Sequence, residues 1–166
     1  MHEEKDKYDP VRQFLRSYWE LRKEQARLER RIEELETQCE SITAKLRSTP
    51  GSGSGRSNDL WDTLVETRDR ARKRLADTLH RSEEIEQFIS DLTEENLSSL
   101  TKKEQKMLPR YRMLLKYRYL EFLDWQPIAR LMNYEVRHIH RLHGKALEIC
   151  RTRWQQIHAE EKTLCP

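Results

Sequence analysis

The stretch "DWQPIARLMNYEVRHIHRLHGKALEI" (residues 124–149) contains two helical patterns separated by a short turn. Asp124 is a suitable N-cap, and Pro127 is tolerated in a first turn, so the first pattern predicts a helix over about 125–132. Asn133 accepts a left-handed backbone and predicts the turn. A longer helix should run from about Glu135 to 160. The residues expected to face inward are Trp125, Ile128, Ala129 and Met132, then Ile139, Leu142, Ala146, Leu147 and Ile149 or Cys150. This arrangement predicts a helix-turn-helix unit.

The same stretch places three histidines within six positions, at His138, His140 and His143. Successive residues turn by about 100° around a helix, so His140 and His143 share a face and His138 lies well away from it. The three rings cannot converge on one ion, and the spacing supplies no further ligand. We therefore predict no metal site. His138 and His140 should face outward, and His143 should pack beneath the helices.

Charge is distributed unevenly along the 166 residues, whose formal net charge is +3. Residues 1–100 carry 18 Lys+Arg and 22 Asp+Glu, whereas residues 101–166 carry 14 Lys+Arg and 7 Asp+Glu. A basic segment is the electrostatic pattern expected of a nucleic-acid-binding domain. We therefore expect residues 96–166 to form a DNA-binding domain that binds DNA by itself as a fragment.

The segment before the helix-turn-helix should contribute further helix. Thr101 and Glu104 match a capping box, which predicts a helix start. Pro109 should bend or break that helix, and a new helix should run from about 110 to 122. The residues of this helix that should face inward are Tyr111, Leu114, Leu115 and Tyr119.

Residues 1–95 should form a long antiparallel coiled-coil hairpin, which makes the chain all-α. Asp9 and Pro10 form a helix start signal. The predicted helices span about 10–48 and 58–92, the second one capped by Asn58, and the Gly/Ser-rich residues 49–57 form the loop. The seam, meaning the face along which the two helices should contact each other, has positions that recur at alternating intervals of three and four residues. In the first helix these positions are Val11, Phe14, Tyr18, Leu21, Gln25, Leu28, Ile32, Leu35, Cys39, Ile42 and Leu46. In the second helix the seam positions are Leu64, Ala71, Leu75, Thr78, Ile85, Ile89 and Leu92, and the polar residues Arg68 and Ser82 interrupt this apolar pattern.

Apolar side chains also lie beside the seam, at Leu15, Trp19, Leu79 and Phe88. A two-helix hairpin buries only its seam, so these side chains need a second hairpin or the C-terminal half. We expect a homo-oligomer held by residues 10–92. The alternative is a monomer whose hairpin folds back onto the helix-turn-helix.

Residues 114–149 resemble the helix-turn-helix of region 4 of bacterial sigma factors. They are more closely similar to the RinA/ArpU-type phage regulators of late transcription. The matching elements are "RYLE" (118–121), Trp125, "IA" (128–129), Tyr134, Ile139, "RLH" (141–143) and "AL" (146–147). The resemblance covers about a third of the chain and implies an activator of phage or prophage late genes. It would act on double-stranded DNA in the cytoplasm of a bacterial host, and host RNA polymerase is a further partner to consider.

The resemblance also implies which residues contact DNA. It assigns base contacts to the exposed start of the third helix, at Glu135, Val136, Arg137, His138, His140 and Arg141. The predicted set also includes Gln126 on the preceding helix and Lys145 one turn further on, which should contact phosphate. Arg137 and Arg141 are the strongest candidates for base recognition, because arginine can donate two hydrogen bonds to one guanine edge.

Two other functional classes remain open, a DNA-packaging recognition subunit of the small-terminase kind and a sigma-like accessory of RNA polymerase. No nucleophile motif or ligand cluster is present, and "GSGSG" (51–55) lacks the Lys-Ser/Thr of a phosphate-binding loop, so neither enzyme activity nor a cofactor is predicted. The three cysteines show no zinc or disulfide spacing. No run of about 18 apolar residues predicts a membrane span, and the N-terminal residues lack signal-peptide features.

Overall fold

The computed structural model describes residues 9–48, 55–93, 97 and 100–164, and every regular element among them is helical. Five α-helices follow one another along the chain: α1 (Pro10–Ser48), α2 (Gly55–Ser90), α3 (Lys102–Leu115), α4 (Trp125–Met132) and α5 (Val136–Leu164). The all-α fold predicted from the sequence, with a helical hairpin and a helix-turn-helix arrangement, is confirmed. No described helix is both long enough and apolar enough to span a membrane.

Contacts divide the chain into two compact units. The composite unit joins residues 1–19 to 83–166, and the hairpin unit comprises residues 20–82. This division differs from the predicted boundary between residues 95 and 96. The reason is that the first turns of α1 and the last turns of α2 pack with the C-terminal helices rather than only with each other.

Asp9 fixes the start of α1, as the sequence predicts. One carboxylate oxygen accepts a hydrogen bond from the Val11 amide at 3.2 Å, which is the capping arrangement. The other accepts two hydrogen bonds from the Arg151 guanidinium, at 2.6 and 3.1 Å. Asp9 is almost fully buried, so this pair joins the first turn of α1 to α5 within the composite unit.

Aromatic packing completes the core of the composite unit. The Trp154 ring on α5 lies 4.9 Å from Phe14 and 6.0 Å from Phe88, measured between centroids. Leu15 is fully buried and Phe88 nearly so within the single chain. Of the two covers that the sequence allowed, a second hairpin or the C-terminal half, these two residues therefore need only contacts within the single chain.

In the hairpin unit, a layer of polar side chains crosses the apolar seam. Gln25 is buried, and its amide nitrogen donates to the Thr78 carbonyl at 3.2 Å and to the Ser82 hydroxyl at 2.9 Å. Its amide oxygen accepts a hydrogen bond from Arg22 at 2.8 Å. Because a polar group inside an apolar seam is satisfied in only one alignment, this layer fixes the register of the two helices.

The predicted seam agrees with the burial of side chains. Among the predicted seam positions of α1, Val11, Tyr18, Leu21, Gln25, Leu28, Leu35 and Cys39 are buried, and Phe14, Ile32 and Ile42 are half-buried. The Leu46 side chain and loop residues 49–54 lie outside the described residues. The predicted cap at Asn58 is wrong, because α2 begins at Gly55 and includes positions 55–57 of the predicted loop.

Upstream of the helix-turn-helix, one helix replaces the two that were predicted. Thr101 and Glu104 form the expected capping box, but α3 continues through Pro109. The helix then widens into a π-helical turn over Lys116–Leu120. Phe122, two residues after this turn, has a positive φ of 57°, which ends the helix. Tyr111, Leu114, Leu115 and Tyr119 are buried as predicted.

The Cys150 thiol is a core group of α5. It is fully buried, and burial raises its pKa to about 12. A thiol with so high a pKa stays protonated and unreactive at neutral pH. Cys150 therefore contributes packing, as does the buried Cys39.

Candidate nucleic-acid interface

The turn between α4 and α5 has the geometry that the sequence predicts. Asn133 adopts the left-handed conformation, with φ 55° and ψ 49°. The Tyr134 amide then donates to the Ala129 carbonyl at 2.9 Å, which closes the turn. The Glu135 carbonyl accepts hydrogen bonds from His138 and Ile139 and so begins α5. Three residues therefore separate the two helices.

Small and branched side chains pack the two helices together. Ile128 and Ala129 on α4 and Ile139 on α5 are all buried. Ala129 has no side chain beyond Cβ, so it allows the helices to approach closely. The opposite face of α5 is consequently presented to solvent.

Six of the eight predicted DNA-contacting side chains are exposed, and Val136 and His138 are half-buried. The exposed residues are Gln126, Glu135, Arg137, His140, Arg141 and Lys145. A shallow depression of about 610 Å³ at the turn brings Gln126, Glu135 and Val136 together. Arg137 and Arg141 are one turn apart, on the side of α5 opposite Ile139.

A further cation borders this surface and was missed by the sequence analysis. Arg130, in the last turn of α4, is exposed and lines the same depression at the turn. Its position on the face of α4 opposite the buried Ile128 was the available signal. Among the described residues, none forms a salt bridge with Arg130, Arg137, Arg141 or Lys145. The surface around α5 therefore carries positive charge that is not neutralised by local ion pairs.

The charge of Lys145 acts on the capping box of α3. Hydrogen bonds from Thr101 lower the pKa of Glu104, and the positive charge of Lys145 lowers it further by a smaller amount. This places Lys145 close enough to the start of α3 to affect Glu104 electrostatically.

The three histidines contact different aromatic partners. The His138 ring lies 4.6 Å from that of Tyr134, and the His140 ring lies 4.6 Å from that of Trp125. His143 is buried, and its Nε2 shares a hydrogen bond of 3.0 Å with the Tyr119 hydroxyl. No group of three potential metal ligands occurs in the described part of the chain. The prediction that His143 packs beneath the helices is confirmed.

Gly144 leaves a gap on the exposed face of α5. A Cβ built at this position meets no atom within 4 Å. We expect Gly144→Ala to stabilise the chain by up to about 1 kcal/mol, because alanine has the higher helix propensity. Urea unfolding followed by circular dichroism measures this change. A loss of stability would show that the helix needs glycine here for a reason other than space.

Comparison of the chain with protein families, with curated proteins and with solved structures finds no match.

Proposed function

We propose that the protein is a sequence-specific DNA-binding regulator of transcription, and that it activates phage or prophage late genes in the cytoplasm of a bacterial host. The observation that carries the proposal is the exposed basic face of α5 directly after the left-handed turn at Asn133. A helix presented in this way fits the major groove, where base edges can be distinguished. The resemblance of residues 114–149 to sigma region 4 supports the same function.

Each part of the surface has its own role in this proposal. Arg137 and Arg141 contact base edges, because both are exposed and four residues apart on one face of α5. Arg130 and Lys145 flank them and contact phosphates. Gln126, Glu135, Val136, His138 and His140 border these contacts. Phosphate contacts hold the helix in register, and base contacts provide the sequence preference.

Alanine substitutions test these roles. We expect Arg137→Ala and Arg141→Ala each to weaken operator binding by about 1–3 kcal/mol and to relax preference at one base position. Lys145→Ala should weaken binding to all sequences alike. Fluorescence anisotropy with an operator selected from random duplexes, and with a scrambled duplex, measures both effects.

The matched control is Arg30→Ala on α1, since Arg30 is also exposed but bonds only to its own helix. The Arg30→Ala variant should bind both the operator and the scrambled duplex as tightly as the parent chain does. If Arg137→Ala left the ratio of operator to scrambled affinity unchanged, α5 would not recognise bases in the proposed orientation.

We also propose that the protein forms a homo-oligomer through residues 10–92. Because Leu15 and Phe88 are buried within the single chain, the support for an oligomer comes from the hairpin unit. Trp61 and Leu79 remain 37% and 38% exposed. They are 18 residues apart, which is about five helical turns, so they lie on one face of α2. Two copies of this chain would cover both side chains and pair two helix-turn-helix units on one operator.

Light scattering after gel filtration tests the oligomer. The full chain should have a mass at least twice 20.2 kDa. Trp61→Glu with Leu79→Glu should shift it toward the monomer, and Arg30→Ala should leave it unchanged. A monomeric parent chain at micromolar concentration would refute the oligomer, and a closed ring would instead support a DNA-packaging role.

A further inference from the structure

A cleft of about 1330 Å³ lies within the composite unit, between the first turns of α1, the segment from Arg118 to Trp125 and the middle of α5. Aromatic rings from different parts of the chain line it, among them Trp19 on α1, Phe122 and Trp125 at the start of α4. Pockets that bind small molecules combine apolar and aromatic walls with a few polar groups that fix the ligand. The cleft contains both kinds of group.

Trp19 supplies an accessible ring at the mouth of the cleft. It is 45% exposed although it is a large apolar side chain, and its ring meets that of Phe122 edge-on at 4.5 Å. Phe122 is held at a positive φ of 57°, which is uncommon for a bulky side chain. Backbone strain of this kind persists only where the surrounding packing holds it, and it recurs at ligand sites. Together the two residues form a wall on which a planar ring can stack.

The Trp125 ring, in contrast, is enclosed by side chains of the protein. The Arg118 guanidinium lies over it at 4.5 Å, and the His140 ring lies 4.6 Å from it. Arg118 is itself paired with the Asp124 carboxylate at 3.5 Å. Trp125 is therefore a fixed part of the wall, and Trp19 offers the stacking surface.

Two buried polar side chains line the same cleft. Tyr119 and His143 are 6% and 8% exposed, and the Tyr119 hydroxyl shares a hydrogen bond of 3.0 Å with Nε2 of His143. Burial raises the pKa of the Tyr119 hydroxyl, so this group stays protonated at neutral pH. A phenol hydroxyl can both donate and accept, so the bond with His143 uses only part of its capacity. A hydroxyl or N–H group on a ligand can use the remainder.

Gly144 keeps the α5 side of the cleft open. It lines the cleft, and a Cβ built there meets no described atom within 4 Å. Packing within the described part of the chain therefore does not require glycine, although glycine weakens a helix relative to alanine. A glycine also lets a ligand approach the backbone closely. A flat molecule can lie against α5 at this position.

We propose that the cleft binds a small planar aromatic molecule that carries a hydroxyl or N–H group. Its ring stacks on Trp19 and lies alongside Gly144, and its polar group bonds to the Tyr119 hydroxyl. Binding requires neither DNA nor a second copy of the chain, so this site is independent of the proposed function.

Isothermal titration calorimetry on the full chain tests the site with 2-naphthol and its saturated analogue, decahydro-2-naphthol. Both compounds carry one hydroxyl, but only 2-naphthol is planar and aromatic. It should bind with 1:1 stoichiometry per chain and about fivefold more tightly than the analogue, because stacking contributes beyond the burial of area. Equal affinities, or dissociation constants above about 1 mM for both compounds, would overturn the proposal.

Two variants separate the ring from the hydroxyl. Trp19→Leu should weaken 2-naphthol about fivefold and leave decahydro-2-naphthol unchanged, because only the aromatic compound stacks. Tyr119→Phe should weaken both compounds about fivefold, because each loses the same hydrogen bond. The matched controls are Trp61→Leu and Tyr117→Phe, which make the same changes at residues that do not line the cleft. They should alter neither affinity.

Thermal unfolding followed by circular dichroism checks the fold of each variant. Trp19 is exposed, so its variant decides the question even if Tyr119→Phe loses the fold. Gly144→Leu should keep or raise the melting temperature, because leucine favours helix over glycine, and should weaken both compounds by filling their space. Unchanged affinity in Gly144→Leu, or equal losses in Trp19→Leu and Trp61→Leu, would place the ligand elsewhere and overturn the proposal. A short peptide with a central tryptophan that bound far more tightly than 2-naphthol would also overturn it, since the occupant would then be a protein segment.

Discussion

A fragment comprising residues 96–166 is expected to lose its cooperative fold, although the sequence suggested that it would bind DNA by itself. The fragment contains the whole helix-turn-helix but lacks its packing partners. Those partners are the buried side chains of the first turns of α1, of the last turns of α2 and of the segment just after it: Val11, Leu15, Ile85, Phe88, Ile89 and Leu92. Truncating one large core side chain to alanine typically costs about 2–5 kcal/mol, and a whole domain is stable by only about 5–15 kcal/mol. The deletion should therefore exceed the stability that is available.

Near-ultraviolet circular dichroism and urea unfolding measure whether fragment 96–166 has lost its cooperative fold. Trp154 should become solvated in the fragment, because it loses its contacts with Phe14 and Phe88. The matched control keeps the composite unit and replaces residues 20–82 by a short Gly/Ser loop. Such a loop can close because the Tyr18 hydroxyl donates to the Glu86 carboxylate at 2.6 Å, so the two helices are adjacent there. We expect this control to unfold cooperatively. Cooperative unfolding of fragment 96–166 itself would contradict the assigned core.

Local signals in the sequence predicted most of the helices. Asp9 and Pro10 mark the start of α1, Thr101 and Glu104 mark the start of α3, and Asn133 marks the turn. Each of these signals works through hydrogen bonds or backbone preference within a few residues. The seam of the hairpin was equally visible, since a repeat of three and four steps determines which face of a helix is buried.

Contacts between distant parts of the chain were not predictable from the same patterns. Asp9 and Arg151 are separated by 142 positions, and nothing near either residue identifies the other as its partner. Leu15 lies beside the seam, so periodicity showed that it needs cover without showing which part of the chain supplies that cover. Likewise, Pro109 normally interrupts a helix, but α3 continues through it, because Leu108 and Tyr111 on either side are held in the core.

The candidate interface likewise combines features that follow from local sequence with contacts that do not. Helical spacing alone places Arg137 and Arg141 on the solvent face, opposite Ile139. The contacts of the histidines depend on neighbouring elements, because Trp125 and Tyr134 come from α4 and the turn. The cleft of about 1330 Å³ within the composite unit was not visible in the sequence, because the residues that line it come from α1, the π-helical turn, α4 and α5.

Binding of the full chain to duplex DNA is expected to fall about a hundredfold when salt rises from 50 to 200 mM, because each neutralised phosphate releases counterions. Arg130, Arg137, Arg141 and Lys145 are exposed around α5 and form no salt bridge with another described residue. A random duplex offers Arg137 and Arg141 no preferred base edge, so all four side chains should contact phosphate there. Four such contacts predict a slope near −3.6 when the logarithm of affinity is plotted against the logarithm of salt concentration. Anisotropy titrations of a random duplex over this range measure the slope.

The slope also distinguishes binding by one helix-turn-helix unit from binding by two. One helix-turn-helix unit on a random duplex should give the value near −3.6, whereas two units on one duplex should roughly double it, because twice as many phosphates are neutralised. Lys145→Ala should reduce the slope by about one for each bound unit, and Arg30→Ala should not change it. Affinity that does not depend on salt would contradict a phosphate-binding role for this surface. A doubled slope in a chain that is monomeric by light scattering would mean that DNA itself brings the two copies together.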